Sequence, residues 1–403
     1  MSPVDNAFIL ICSALVLFMT PGLALFYGGL VRSKNVLSSI MHSFFAMGLA
    51  TVLWAVIGYS LAFGPSVGGV IGGLDHLFLR GVPLDDGSAL SPMCFMIFQC
   101  MFAVITPALI SGAYAERMKF SGYMIFTALW LLVVYCPMAH MVWGGGIMAQ
   151  MGALDFAGGA VVHMSSGAAA LACAIFLGKR KGYGKEPFIP HNLPMTLTGA
   201  GILWFGWFGF NAGSALAADA VAVNAFATTH MATGAALVTW IIAEWLHSGK
   251  PTTLGAASGL LAGLVAITPA AGFVSVQDSL IIGGLAGFIC YGGIMLKNKF
   301  GYDDALDVVG IHGVGGTWGA LATGLFASGI VKFDGVPQLG LFYGNPEQLW
   351  IQFKSVVITW VFCFVASAVL FKIVDKIVGM RADAESEVRG LDVTQHSEAG
   401  YQL

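Results

Sequence analysis

The stretch LDFAGGAVVHMSSGAAALACAIFLGKR, residues 154–180, decides how this chain reads. From Phe156 to Gly178 it carries no acid and no lysine or arginine. That is long enough for a membrane helix, which needs roughly 20 apolar residues. Yet His163 stands inside it. A polar side chain at membrane depth is costly, so it faces a cavity or a partner rather than lipid. A second stretch repeats the situation: VVGIHGVGGTWGALATGLFA, residues 308–327, encloses His312.

The rest of the chain has the same character. It is 57% hydrophobic and only 10% charged, where a soluble domain carries about 25% charged residues. A large soluble core cannot explain the shortage, because surface grows with size and must face water. Eleven candidate spans emerge: 7–31, 36–62, 92–115, 121–140, 157–178, 194–216, 225–246, 253–271, 278–296, 308–331 and 351–374. The eighth is short and reaches Pro269. The runs are helix-length and rich in Leu, Ala and Gly; a membrane β-barrel would alternate over about ten residues. The 54 glycines suit close helix contact in lipid. The expected fold is an all-α polytopic membrane protein, residues 1–380, followed by a polar tail, 381–403, that orders only against something else.

Lysine and arginine set the expected orientation. With the N-terminus outside, the odd-numbered connections and the tail hold fifteen of the 18 bases, leaving Arg80, Lys332 and Lys354 on the other side. This positive-inside asymmetry requires an odd number of spans. No basic region precedes the first span, so no cleavable signal is expected within the sequence. The seven cysteines are scattered, with no C-x-x-C pair, and read as packing residues. The net charge of −3 says nothing about partners, and no nucleic-acid partner is expected.

Each histidine follows an aspartate: Asp155 lies eight residues before His163, and Asp307 five before His312. Five spans separate the two places, so two halves of five would run in opposite senses, as an inverted repeat, with the eleventh span added. Such repeats place a pathway at their interface. A single buried histidine is as readily a structural hydrogen bond. Zinc lacks a third or fourth ligand at helical spacing, and a bis-histidine haem lacks redox company. Two imidazoles in a pathway could form a polar rail for a small hydrogen-bonding molecule or a proton.

In the sixth span, GILWFGWFGFNAGSALAA crowds Trp204, Phe205, Trp207, Phe208 and Phe210 ahead of Asn211, Gly213 and Ser214. The third span offers Phe98, Gln99 and Phe102, and the Gly-rich connection at 141–156 offers Trp143. Rings beside amides and hydroxyls near the outer face suit a cation, at ~0.5–2 kcal/mol per aromatic face. The same rings equally serve packing. Asp155 reads as a cap on the fifth span, and Asp307 as a cap on the tenth. Glu244 and His247 read as interfacial, and Pro21 predicts a kink in the first span.

These motifs together resemble the Amt/Mep/Rh superfamily of ammonium transporters, in its bacterial Amt branch. The resemblance spans nearly the whole chain. It rests on DNAFILICSALVLFMTPGLALFYGGLVRSKN, MVWGGG, GALDFAGGAVVH, GKEPFIPHNLP, GWFGFNAGSA, DDALDVVGIHGVGG and the tail's GLDVTQHSEAGY. It implies eleven spans, an N-terminus outside and C-terminus inside the cytoplasmic membrane, and a homotrimer with one pore per subunit. It implies an outer ammonium site of Phe102, Trp143 and Ser214, organised from beneath by Asp155. It further implies a gate of Phe102 and Phe210, a pore pair of His163 and His312, and shut-off by a PII-type signalling protein at the tail. Ammonium is the implied substrate, with methylammonium as a candidate alternative; no cofactor or metal is implied.

Energetics favours crossing as ammonia. A bare ammonium entering low dielectric has an idealised cost of order 20 kcal/mol. Shedding its proton at pH 7, bounded by a lysine-like pKa, costs ~4.6 kcal/mol. The proton either returns outside, making transport neutral, or passes inward past the histidines, making it electrogenic; the paired imidazoles favour the second. A symporter would need acidic ion sites, which are absent from the spans. A sensor would have to act through a partner, and an enzyme would need a nucleophile–base or metal spacing that does not appear.

Overall fold

The computed structural model describes residues 1–333 and 335–401; Gln402 and Leu403, the end of the tail, and Asp334 lie outside the described residues. Eleven helical runs appear among these residues, at the expected places. They are α1 (Pro3–Leu30), α2 (Ser33–Phe63), α3 (Pro92–Tyr114), α4 (Phe120–Gln150), α5 (Gly159–Leu177), α6 (Leu193–Gly213), α7 (Ala220–Ser248), α8 (Thr253–Ile267), α9 (Val276–Phe300), α10 (309–326) and α11 (Pro346–Val378). Nine of them are long and apolar enough to cross a membrane. The exceptions are α8, which the sequence already marks as short, and α10, which begins as a π-helix, Val309–Val314.

The helices start where the sequence supplies a cap. Ser2 accepts from the Asp5 amide, Ser91 from Cys94, Asn192 from Met195, Thr252 from Gly255 and Ser275 from Asp278. Proline sits in the first turn of α1, α3, α6 and α11, where its missing N–H costs nothing. These signals lie outside the hydropathy windows. That is why α1, α7 and α11 extend beyond the expected 7–31, 225–246 and 351–374. The tenth span, expected to reach 331, stops at Phe326. Strand β3 (Ser328–Phe333) takes over and pairs antiparallel with β4 (Val336–Leu339). In α4 the regular helix ends at Val142. Trp143 and a separate turn at Ile147–Gln150 follow, within the stretch expected to be a poor helix.

Small residues set the helix contacts. A Cβ on Gly199 of α6 would come within 2.4 Å of the Phe26 amide nitrogen of α1, so the opening helices of the two halves touch backbone to backbone. The α5–α10 crossing is reciprocal. Gly167 of α5 lies against Gly313 and the His312 carbonyl carbon, while Gly316 of α10 lies against the Cβ of His163. Exchange of partners in this way is what an inverted two-fold requires. On α11, Val357, Val361, Val365 and Val369 form an exposed apolar stripe, a face suited to lipid or another subunit. The chain is a multi-pass membrane protein.

One end of the bundle carries the tail and a buried ionic cluster. Glu116 accepts from Arg32 and Asn35 through one oxygen and from Arg180 through the other. Arg180 also pairs with Asp303 at 2.8 Å. Against the upward push of burial, Arg32 and Arg180 hold the Glu116 carboxyl below its ordinary value. The cluster ties together the connections after α1, α3, α5 and α9. The tail folds onto it as two short helices, α12 (Ala384–Arg389) and α13 (Leu391–His396). Asp392 accepts from the Leu37 and Ser38 amides at the start of α2, and Gln395 from the Phe120 amide at the start of α4. The tail thus caps two membrane helices. This end is the tail face, and the opposite end the far face.

Candidate functional site

Helical spacing decides which aromatic rings matter. On α6, Leu203, Trp207, Phe210 and Ser214 recur at intervals of three and four, so they share one face. The first three line an internal cavity and the fourth lines a depression on the far face. The other rings of the run turn away. Phe205 is 57% exposed, Phe208 stacks on Phe226 and Trp204 on His230.

The far-face depression, about 260 Å³, is lined by Phe95, Gln99, Phe102, Trp143, Phe156 and Ser214 among others. Phe102 meets Trp143 edge to face, centroids 5.8 Å apart. The Trp143 indole N–H donates to the Asp155 carbonyl at 3.0 Å. The Asp155 carboxylate in turn accepts from the amides of Gly158, Gly159, Ala160 and Val161. Asp155 is therefore the cap the sequence indicates, and its backbone also holds the indole. Phe98 does not join its neighbours here. It is fully buried and fills the space beside Gly213.

Beneath the depression, Phe102 and Phe210 close the way. Their centroids are 4.4 Å apart at an interplanar angle of 44°, a close tilted contact. Both rings are essentially inaccessible to solvent. Below them a cavity of about 180 Å³ runs toward the tail face, lined by Phe210, Trp207, His163, His312 and Tyr27 and bordered by Phe188 and Asp307. Among the described residues, Asp307 is the one carboxylate of its lining.

Both histidines sit in π-helical turns that open their spans, Gly159–Met164 and Val309–Val314. Their Nδ1 atoms are 3.2 Å apart, and the rings lie at 23° with centroids 5.3 Å apart. A contact between two Nδ1 atoms needs one proton. One ring donates and keeps an accepting Nε2; the other accepts and keeps a donating Nε2. The pair thus presents one donor and one acceptor along the cavity. Trp207 stacks on His163 at 18° and is itself fixed by a 2.9 Å hydrogen bond to the Thr268 hydroxyl.

One expectation about these entries needs correction. Asp307 does not cap α10. Asp304 does, accepting from the Val309 amide at 2.7 Å. Asp307 instead adopts a left-handed backbone, φ 62°, and pairs with Lys297. Asp304 lies eight residues before His312, matching the interval from Asp155 to His163; that equality was available in the sequence. Thr268, Asp304 and Lys297 were missed as neighbours of the pathway. His140, in the fourth span, uses both ring nitrogens, on the Ala62 carbonyl and the Ser66 hydroxyl, and serves structure. Glu244 and His247 lie at an exposed helix end, bonded to Thr252 and Tyr291. All seven cysteines are buried and free.

Comparison with known proteins covers the same ground. The model of the Ammonium Transporter Family matches residues 7–401. An ammonium transporter of Bacillus subtilis (strain 168) is 52% identical over 402 residues, covering 99% of this chain and 98% of that protein. The crystal structure of Mep2 from Candida albicans superposes with a TM-score of 0.90 at 36% identity, covering 96% of this chain and 88% of that one. A structure described as a sensor Amt protein superposes equally, TM-score 0.90 at 28% identity, covering 97% and 98%.

Proposed function

This chain belongs to the ammonium transporter family, and from that premise we propose how its geometry moves ammonium. Ammonium transport is the family's activity; the route below is our reading. The cation is held in the far-face depression by the rings of Phe102 and Trp143 and by the Ser214 oxygen. Cation–π contacts gain strength where water is excluded. Asp155 positions Trp143 through its carbonyl and keeps its carboxylate engaged by backbone amides. The Phe102–Phe210 pair parts to admit the substrate.

The proton is shed before the cavity. Carrying ammonium as a bare ion has an idealised cost of order 20 kcal/mol, against ~4.6 kcal/mol for losing the proton at pH 7. Among the described residues the one carboxylate of the cavity lining, Asp307, is already paired with Lys297, so no unpaired fixed charge offsets the larger figure. Ammonia then passes His163 and His312, which offer it one acceptor and one donor. Potassium has no proton to lose and is rejected by chemistry rather than by size. The proton crosses separately through the histidine pair, making transport electrogenic. The observation that carries this reading is the contact of the two histidines in a cavity sealed from the depression by two phenylalanines.

The far face is extracellular and the tail face cytoplasmic, in the cytoplasmic membrane, supported by the distribution of bases. The assembly is a homotrimer, and a PII-type signalling protein acts at the tail. The contacts of Asp392 and Gln395 with the starts of α2 and α4 give such a partner a mechanical handle.

The test is an external ammonium jump on liposomes holding the purified protein, with a potassium jump as control. A sustained current with ammonium alone supports the reading. Internal alkalinisation without current replaces it by neutral ammonia conduction. Binding with neither signal favours a sensor, the alternative that the sensor Amt likeness keeps in view.

A further inference from the structure

The two halves of the pathway share one plan, which exposes a difference between its mouths. His163 and His312 are 149 positions apart, and so are Asp155 and Asp304. In each half one aspartate oxygen takes the amide five residues on, Asp155 from Ala160 at 2.8 Å and Asp304 from Val309 at 2.7 Å. In each half the same aspartate's carbonyl accepts a side-chain donor. For Asp155 that donor is the Trp143 indole, at 3.0 Å; for Asp304 it is the Lys297 ammonium, at 3.1 Å. The left-handed residue that follows is Gly158 in one half and Asp307 in the other, again 149 apart.

The substitutions are coordinated. Gly158 is hemmed in by Val162 and the indole: a Cβ there would lie 2.6 Å from a Val162 methyl and 3.3 Å from the Trp143 ring edge. At the other mouth a carboxylate stands in that place, and Lys297 is bonded to it. Asp307 lines the cavity and its side chain is 34% exposed, while Lys297 is 15% exposed. One oxygen of Asp304 is buried with no partner among the described residues. The Asp304 carbonyl and the Asp307 carboxylate make an acceptor pair for an alkylammonium or ammonium ion, and the lysine's own alkylammonium fills it.

We propose that the tail-face mouth is a cation site kept permanently occupied by the tethered ammonium group of Lys297, so that free ammonium does not bind there. This rests on the transport reading above and deepens it. The far mouth offers aromatic faces to a free cation. The near mouth offers a site already filled, so ammonia leaves it without being recaptured as ammonium beside the pore. The asymmetry favours net uptake when internal ammonium is high.

The test uses the full-length protein in proteoliposomes, freed of vesicles that expose a tag fused to the tail, so that every copy is inserted the same way. Uptake of labelled methylammonium from outside is measured against rising ammonium inside. Lys297→Met empties the site and is expected to lower the internal concentration giving half-inhibition about tenfold, equivalent to ~1.4 kcal/mol. Lys297→Met with Asp307→Asn removes the vacated carboxylate and should restore the wild-type half-inhibition. Equal half-inhibition in wild type and Lys297→Met, with uptake present in both, overturns the proposal. If Lys297→Met does not fold, Lys297→Gln carries the same expectation. Absence of uptake by the wild type would instead count against the transport reading.

Discussion

Asp155 offers a sharp test of how the far-face depression is built. Its carboxylate accepts from four consecutive amides, at 2.9 and 2.6 Å through one oxygen and 2.8 and 3.3 Å through the other. An ordinary cap accepts one such bond and is worth ~1 kcal/mol. Charged acceptors net ~1.5–3 kcal/mol per bond, and the four share two oxygens, so ~3–5 kcal/mol is a reasonable loss for Asp155→Ala. Asp155→Asn looks conservative and is not. Its amide oxygen can keep Gly158 and Gly159, but its NH2 then faces the amides of Ala160 and Val161, donor against donor. Asn is therefore expected to cost about as much as Ala. A control exists at Asp219, which caps α7 by accepting from Val221 and Ala222 through one oxygen at an exposed end; Asn is as good a cap there, so Asp219→Asn should cost well under ~1 kcal/mol. Thermal unfolding of the purified protein in detergent, followed by size exclusion, ranks the three. Both Asp155 variants should melt well below Asp219→Asn, and the Trp143 indole, hung from the Asp155 carbonyl, should lose its fixed place and weaken ammonium uptake. An Asp155→Asn protein with wild-type melting and uptake would refute the donor accounting.

Thr268→Val removes the hydroxyl that fixes Trp207; stability should fall by ~1 kcal/mol, while ammonium transport slows several-fold because the ring stacked on His163 is freed, as liposome uptake can measure. Glu116→Gln breaks a buried ion cluster and should destabilise by ~3–5 kcal/mol, read as a lower melting temperature. The sign in pH follows from the depressed Glu116 value: its contribution is full above the unfolded glutamate pKa of ~4.3 and is lost as pH falls through the lower folded value. The wild-type advantage over Glu116→Gln should therefore hold at neutral pH and vanish in strong acid. His163→Asp should change ion specificity or proton coupling rather than folding; wild-type rejection of potassium by that variant, in the liposome current assay, would count against a proton relay.

The sequence displays the membrane class, the helix number and the histidine pair because each leaves a local mark: a long apolar run, or a costly polar residue inside one. Periodicity also divides the α6 aromatics, since Trp207, Phe210 and Ser214 fall on one face while Phe205 and Phe208 do not. Phe98 stays out of the depression although it shares a face with Phe102, four residues on, and touches it with centroids 5.0 Å apart; its ring is taken up by the space beside Gly213, which spacing along α3 does not reveal. Asp304 was missed for a different reason. Three aspartates crowd 303–307, and which one reaches the first amide of α10 depends on a left-handed turn at Asp307; aspartate adopts that conformation more readily than most residues, but any of the three could have done so.

The position of Lys297 shows what lay beyond pattern reading altogether. At the end of α9 it reads as one more base in a positive-inside connection. Its partners, the Asp304 carbonyl and the Asp307 carboxylate, become visible only when the connection folds back onto the mouth of α10. The comparison that gives the pair meaning is with Trp143 and Gly158, residues of another type at the other mouth, joined to it by backbone geometry rather than by sequence likeness. An inverted repeat whose halves have diverged keeps its frame in the backbone, as the two π-helical entries and the equal aspartate intervals do here. It places its functional difference in the side chains hung on that frame. If transport has a preferred direction, these unlike pairs are where the fold can set it.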